Sequence, residues 1–209
     1  MISASAALDL LREGNRRFVT NQSRAGGTSH EERRLSLVSG QEPFAIVLGC
    51  SDSRVPAELV FDQGFGDLFV IRVAGNIVAP SQVGSVEFAA ARFGTRLVVV
   101  VGHSQCGAVT ATVEELLGGP TAESRNLRSI VDRVRPAVEA ALSGRPAGDL
   151  EGLMKEAVRA NVRASANHLR HGSELLERLI QQGGLRVVGA EYSLDTGIVT
   201  FFDGIEDIT

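Results

Sequence analysis

Three apolar runs occupy the middle of the chain, at residues 44–50, 68–75 and 96–103, and polar or glycine-containing segments bound them. Short uninterrupted runs of this kind are typical of strands that are buried on both faces of a parallel sheet. Apolar residues at helical spacing follow the second run over 81–93, and the third run leads into a helical stretch over 104–117. This alternation of strands and helices predicts an α/β protein with a parallel sheet.

Helical patterns also lie on both sides of this region. Residues 3–21 form an amphipathic helical pattern, which a polar stretch separates from the first apolar run. Two further helices are predicted over 122–142 and 153–182, with a segment rich in Gly and Pro between them. The chain closes with two apolar stretches, 185–194 and 197–205, around a short turn. A connection this short makes the final pair of strands antiparallel.

The predicted fold class is therefore α/β, with a mostly parallel central sheet of four parallel strands plus an antiparallel edge strand. Helices should flank this sheet, and an N-terminal helical arm should precede it. A chain of 209 residues suits a single domain, here 1–209. We expect residues 1–40 to form the arm and residues 41–209 to form the α/β core. The arm is expected to pack on a partner subunit, with its own domain as the alternative.

Composition narrows the classes of partner. The formal net charge is −4 and no block of Lys and Arg stands out, so no nucleic acid is expected to bind. The chain has no Trp and one Tyr, which leaves little material for stacking on bases. No apolar stretch is long enough to span a bilayer, and the first residues lack the pattern of a signal peptide. We expect a soluble cytoplasmic protein with no membrane partner.

Two cysteines are too few for a disulfide framework in a chain of this length, and composition alone favours a simple packing role for them. Their surroundings favour chemistry instead. Cys50 ends the first predicted strand and is followed by Asp52 and Arg54, while His103 ends the third strand and Cys106 follows it. The carboxyl ends of parallel strands meet at one sheet edge. Two thiolates and an imidazole suit zinc, and a set of three ligands leaves a position for water.

Two motifs carry a resemblance to a known family. The sequences CSDSRV at 50–55 and GHSQCGAV at 102–109 are similar to the two signature motifs of β-class carbonic anhydrases. The segments 61–76 and 84–89 also resemble that family, and the likeness extends over essentially the whole chain. The resemblance implies reversible hydration of carbon dioxide to bicarbonate and a proton, by attack of zinc-bound hydroxide.

The resemblance also implies a set of site residues. One Zn²⁺ per chain would be held by Cys50, His103 and Cys106, and Asp52 and Arg54 would form a catalytic dyad beside it. Arg54 could hold Asp52 off the metal through a charge-assisted pair of hydrogen bonds. If this pair broke, Asp52 could become the fourth ligand in a closed state. Both the open and the closed state are expected to be accessible.

Four further residues match family positions that contact substrate: Gln41, Phe69, Ala74 and Phe88. Phe88 stands where many relatives carry tyrosine, so it offers no hydroxyl. For the apolar members of this set, simple core packing is an equally good interpretation. In the family a second subunit completes the pocket, which implies self-association as a dimer or a tetramer.

Three alternatives remain at this point. A carbonyl sulfide or carbon disulfide hydrolase would use the same scaffold and the same zinc ligands, and only its substrate would distinguish it. A non-catalytic zinc-stabilised protein would fill the fourth coordination position and would not need Asp52 and Arg54. A redox dithiol would use Cys50 and Cys106 but would leave His103 without a role.

Overall fold

The computed structural model describes residues 2–23, 30–143 and 149–206, which contain eight α-helices and five β-strands. The helices are α1 (Ala4–Val19), α2 (His30–Ser36), α3 (Ala57–Val60), α4 (Pro80–Arg92), α5 (Gly107–Leu116), α6 (Arg125–Leu142), α7 (Leu150–His171) and α8 (Glu174–Gln182). The strands are β1 (Ala45–Gly49), β2 (Leu68–Arg72), β3 (Leu97–His103), β4 (Arg186–Tyr192) and β5 (Val199–Asp203). A 3-10 turn, Ala74–Asn76, follows β2.

The five strands form one sheet in the order β2-β1-β3-β4-β5. The strand β1 pairs in parallel with β2 and with β3, and β3 pairs in parallel with β4. The last strand, β5, runs antiparallel to β4 at the edge. This arrangement confirms the predicted fold class. Because β1 and β3 are parallel neighbours, the residues that end them meet at the same edge of the sheet.

Helices cover both faces of the sheet, which explains the uninterrupted apolar runs in the sequence. Every residue of β1 and β3 is buried. On one face, Val47, Val99 and Val188 pack with apolar residues of α1 and α3. On the other face, Ile46 and Val98 pack with α4, α7 and α8. Successive side chains of a strand point to opposite faces, so each strand contributes to both layers of the core.

The N-terminal helix α1 lies on the sheet of its own chain. Its apolar residues Leu8 and Leu11 are buried in the same cluster as the strands β1, β3 and β4. The buried Asn15 amide donates hydrogen bonds to the carbonyl oxygens of Val60 and Gly197. Its side-chain oxygen accepts a bond from the backbone N–H of Val199. The contact of segment 1–40 with a partner subunit stays a prediction.

The largest difference between the predicted and the observed helices concerns one long stretch, and the other helix ends differ by up to three residues. The stretch 153–182, predicted as one helix, is divided into α7 and α8. Ser173 lies between them with extended backbone angles, and its hydroxyl accepts a hydrogen bond from the backbone N–H of Leu176. This serine therefore begins a new helix. None of the helices in the described ranges combines the length and the apolar character that a membrane crossing requires.

Candidate metal centre

Two adjacent strand ends bring three metal-binding side chains together. Cys50 directly follows β1, His103 ends β3, and Cys106 directly precedes α5. One ligand atom from each of the three residues lies within 4.8 Å of the other two. All three side chains are buried, and within the described ranges this is the one such cluster of His, Cys, Asp and Glu. The geometry matches the thiolate and imidazole donors that zinc favours.

The imidazole of His103 is oriented as a metal ligand. Its Nδ1 atom lies 2.9 Å from the carbonyl oxygen of Ser104. A carbonyl oxygen only accepts hydrogen bonds, so Nδ1 carries the proton and Nε2 presents a lone pair. Nε2 is buried and has no hydrogen-bond partner among the residues that the structure describes. A buried polar atom without a partner is costly, and coordination of a metal would satisfy this one. The residues present therefore fit a zinc ion.

The two cysteines are free thiols whose ionisation is linked. A hydrogen bond from Cys106 lowers the pKa of Cys50 to about 4, against the opposing effect of burial. The backbone N–H of Gly75, 3.3 Å from Cys50 Sγ, acts in the same direction. The bond to Cys50, together with burial, raises the pKa of Cys106. At neutral pH the site thus offers one preformed thiolate, and metal binding would displace the proton of the second thiol.

Asp52 and Arg54 form the predicted pair at the mouth of the cluster. Arg54 donates from Nε to Asp52 Oδ1 at 2.9 Å and from Nη2 to Oδ2 at 2.7 Å. The hydrogen bond from Arg54 holds the pKa of Asp52 well below its usual range. Asp52 Oδ2 lies 3.9 Å from His103 Nε2, close to the cluster but held by Arg54. Both carboxylate oxygens of Asp52 are thus engaged by Arg54, as the resemblance implies for an open state.

Several backbone contacts that position this pair carry no sequence signal. Arg72 donates from Nε to the Cys50 carbonyl at 3.0 Å and from Nη2 to the Asp52 carbonyl at 2.7 Å. The carbonyl of Gln105 accepts a bond of 3.3 Å from Arg54 Nη2. Such carbonyl groups are present in every residue, so only the fold shows which of them are used. The contributions of Arg72 and of the Gln105 carbonyl could therefore not be predicted from the sequence.

The predicted substrate residues divide between two places. Ala74 lies in the 3-10 turn beside Gly75, whose N–H contacts Cys50, so it is next to the metal cluster. Gln41, by contrast, precedes β1 whereas Cys50 follows it. A five-residue strand spans roughly 16 Å at the usual rise. Gln41 therefore lies at the amino ends of the parallel strands, whereas the metal cluster of its own chain lies at their carboxyl ends.

The two predicted phenylalanines lie with Gln41 rather than with the metal ligands. Phe69 is paired with Ile46, near the beginning of β1. Its ring centroid is 6.2 Å from that of Phe88 and 6.1 Å from that of Phe93. Phe93 and Gln41 both line a cavity of about 400 Å³. Phe88 is 54% exposed, so simple burial in the core of its own chain does not account for it.

Comparison with known proteins agrees with this geometry. A sequence profile described as "Carbonic anhydrase" matches residues 45–199. Carbonic anhydrase 2 of Mycobacterium tuberculosis is 38% identical over 97% of this chain and 95% of its own length.

Solved structures agree at the level of the fold. The β-carbonic anhydrase CafA of Aspergillus fumigatus superimposes with a TM-score of 0.72 at 27% identity, over 84% of this chain and 82% of that chain. A β-carbonic anhydrase of Sordaria macrospora, one of two described as tetrameric, shares the fold with a TM-score of 0.70 at 24% identity. That match covers 86% of this chain and 89% of that chain. The chain belongs to the carbonic anhydrase family, in its β class.

Proposed function

We propose that this protein is a zinc enzyme that converts carbon dioxide and water reversibly to bicarbonate and a proton. The observation that carries the proposal is the buried cluster of Cys50, His103 and Cys106 beside the Asp52–Arg54 pair. These three residues would hold one zinc ion per chain. Zinc bound there lowers the pKa of water, so that a hydroxide nucleophile is available near neutral pH.

The Asp52–Arg54 pair distinguishes this site from a purely structural zinc site. Arg54 engages both carboxylate oxygens of Asp52, so Asp52 stays ionised and keeps off the metal. The carboxylate can then accept a hydrogen bond from the nucleophile and direct its lone pair at the carbon of the substrate. A structural site would fill its fourth position and would need neither residue.

The placement of the other predicted residues supports self-association. Ala74 lies near the metal ligands, whereas Gln41, Phe69 and Phe88 lie together at the other edge of the sheet. We propose that the second group completes the carbon dioxide pocket of a neighbouring chain. The functional unit is then a dimer, or a tetramer built from dimers. Both zinc-binding thiols must stay reduced, which supports a location in the cytoplasm.

Stopped-flow hydration of carbon dioxide, with zinc measured on the same sample, tests the proposal. We expect about one zinc per chain and turnover that rises between pH 6.5 and pH 9. Chelation should abolish the turnover. Full zinc content with no hydration at any of these pH values would refute the proposed reaction. Turnover of carbonyl sulfide but not of carbon dioxide would instead indicate a carbonyl sulfide hydrolase.

Two variants separate metal binding from catalysis. Asp52→Asn should keep zinc and lose activity by roughly 100-fold or more, because a neutral amide has one accepting oxygen instead of two and is a weaker acceptor than the carboxylate. Cys106→Ser should lose the metal itself, because a neutral hydroxyl is a poor replacement for a thiolate. Asp9→Asn is the matched control, since it removes a carboxylate from an exposed pair with Arg12. Full turnover in Asp52→Asn would rule out the proposed role of the carboxylate.

A further inference from the structure

The turn that contacts the zinc ligand Cys50 has an unusual backbone. Gly75 adopts φ 70° and the next residue, Asn76, adopts φ 43°. Two consecutive residues in the left-handed region are disfavoured, the second especially because it carries a side chain. The turn also has to aim the Gly75 N–H at Cys50 Sγ, 3.3 Å away. Hydrogen bonds from other parts of the chain are therefore needed to stabilise this turn.

Helix α7 supplies this support from a distant part of the sequence. Asn161 Nδ2 donates a hydrogen bond of 2.8 Å to the carbonyl of Gly75. Ser165 Oγ donates one of 2.9 Å to the carbonyl of Asn76. The two polar residues are four apart, so they share one face of the helix. They are only 2% and 6% exposed, and they hold the two successive carbonyls of the strained turn.

Asn161 is connected to Cys50 through a single residue. The carbonyl that binds Asn161 and the N–H that reaches Cys50 Sγ both belong to Gly75. The N–H and the carbonyl of Gly75 lie in the two peptide planes that meet at its Cα, so a displacement of this Cα that lengthens one bond also shifts the other. Hydrogen bonds to a metal-binding thiolate orient it and adjust its donor strength. A shift of the Asn161 amide is therefore expected to shift the Gly75 N–H that contacts the Cys50 thiolate.

We propose that Asn161 is a positioning residue for the zinc centre, which fixes the Gly75 N–H on Cys50 and thereby strengthens metal binding. The inference rests on the proposed zinc centre. It assigns a role in that centre to a side chain on α7 that does not touch the metal ligands. Ser165 supports the same turn one residue further on and should contribute less, because its carbonyl partner belongs to Asn76.

The test compares Asn161→Ala with Val162→Ala. Val162 is the next residue of α7, is fully buried and packs in the core against the sheet. Both variants should lose stability, but only Asn161→Ala should bind zinc more weakly, by roughly 10-fold or more in a chelator competition. With cobalt in place of zinc, only Asn161→Ala should shift the thiolate-to-metal charge-transfer band. Equal effects in the two variants, or none in Asn161→Ala, would overturn the proposal.

A measurement on the wild-type protein covers the case in which Asn161→Ala fails to fold. With ¹¹³Cd bound, the amide proton of Gly75 should show a through-bond coupling to the metal across the N–H to sulfur hydrogen bond. The absence of this coupling would overturn the proposal without any variant. Failure of the wild-type protein to bind zinc would instead refute the metal centre itself, so the two failures are distinguishable.

Discussion

Replacement of Gly75 by alanine tests how strictly the turn beside Cys50 is constrained. Gly75 has φ +70°, and the left-handed conformation costs an alanine about 1–2 kcal/mol. An added Cβ would also lie 2.9 Å from the Cβ of Ala108, inside normal van der Waals contact. Overpacking of this kind typically costs about 1–3 kcal/mol. We therefore expect Gly75→Ala to lower the free energy of unfolding by about 2–5 kcal/mol.

The assay is urea unfolding, with thermal unfolding and zinc content measured in parallel. For a chain of this size the loss corresponds to a decrease in melting temperature of roughly 4–20 °C. Gly84→Ala is the matched control, because Gly84 lies inside α4 and an added Cβ meets nothing within 4 Å. The control should be neutral or more stable by up to about 1 kcal/mol. A Gly75→Ala protein with the wild-type midpoint and full zinc would refute the reasoning.

Three further predictions concern protons and buried polar groups. Zinc uptake by the metal-free protein should release at least one proton, because the raised pKa of Cys106 keeps its thiol protonated. Calorimetry in two buffers of different ionisation enthalpy would detect this proton release, and identical heats in the two buffers would contradict it. Arg54 keeps the pKa of Asp52 low, so the carboxyl ¹³C signal of Asp52 should stay constant from pH 8 to about pH 4. Any stabilisation from the pair should disappear only below that range. Titration of Asp52 at the usual carboxyl pKa would argue against the pair. Asn15→Ala should destabilise by about 2–3 kcal/mol, because it leaves buried backbone groups unsatisfied; an unchanged urea midpoint would contradict this.

The fold could be predicted largely because its central strands β1 and β3 are buried on both faces. The runs that became β1 and β3 are continuous and apolar, and the structure buries every residue in them. The prediction of one continuous helix over 153–182 was wrong for a local reason. Its apolar spacing continues across Gly172 and Ser173, but Ser173 caps a new helix there. Apolar periodicity describes which face is buried and does not show that a helix has been interrupted and restarted.

The candidate site was predictable only as far as it depends on side-chain chemistry. Thiols, imidazole and carboxylate at two strand ends identify the metal cluster and the Asp52–Arg54 pair. The groups that position them are backbone atoms or remote polar side chains: the carbonyl of Ser104 on His103, the N–H of Gly75 on Cys50, and Asn161 behind that turn. The sequence does contain one signal for Asn161, because it is a polar residue on the buried face of an amphipathic helix. Periodicity marks that position as unusual but does not name its partner.

The sheet topology connects the proposed catalysis with the proposed assembly. Gln41 lies before β1 and Cys50 lies after it, so no rearrangement of loops in one chain brings both to the same edge while β1 remains a strand. The exposed Phe88 and its neighbours Phe69 and Phe93 lie on the Gln41 side. A pocket that needs all of these residues must therefore be built from two chains. It follows that dilution to monomers should abolish hydration while each chain retains its zinc. In the proposed assembly the zinc ligands come from one chain, whereas the pocket requires residues of two.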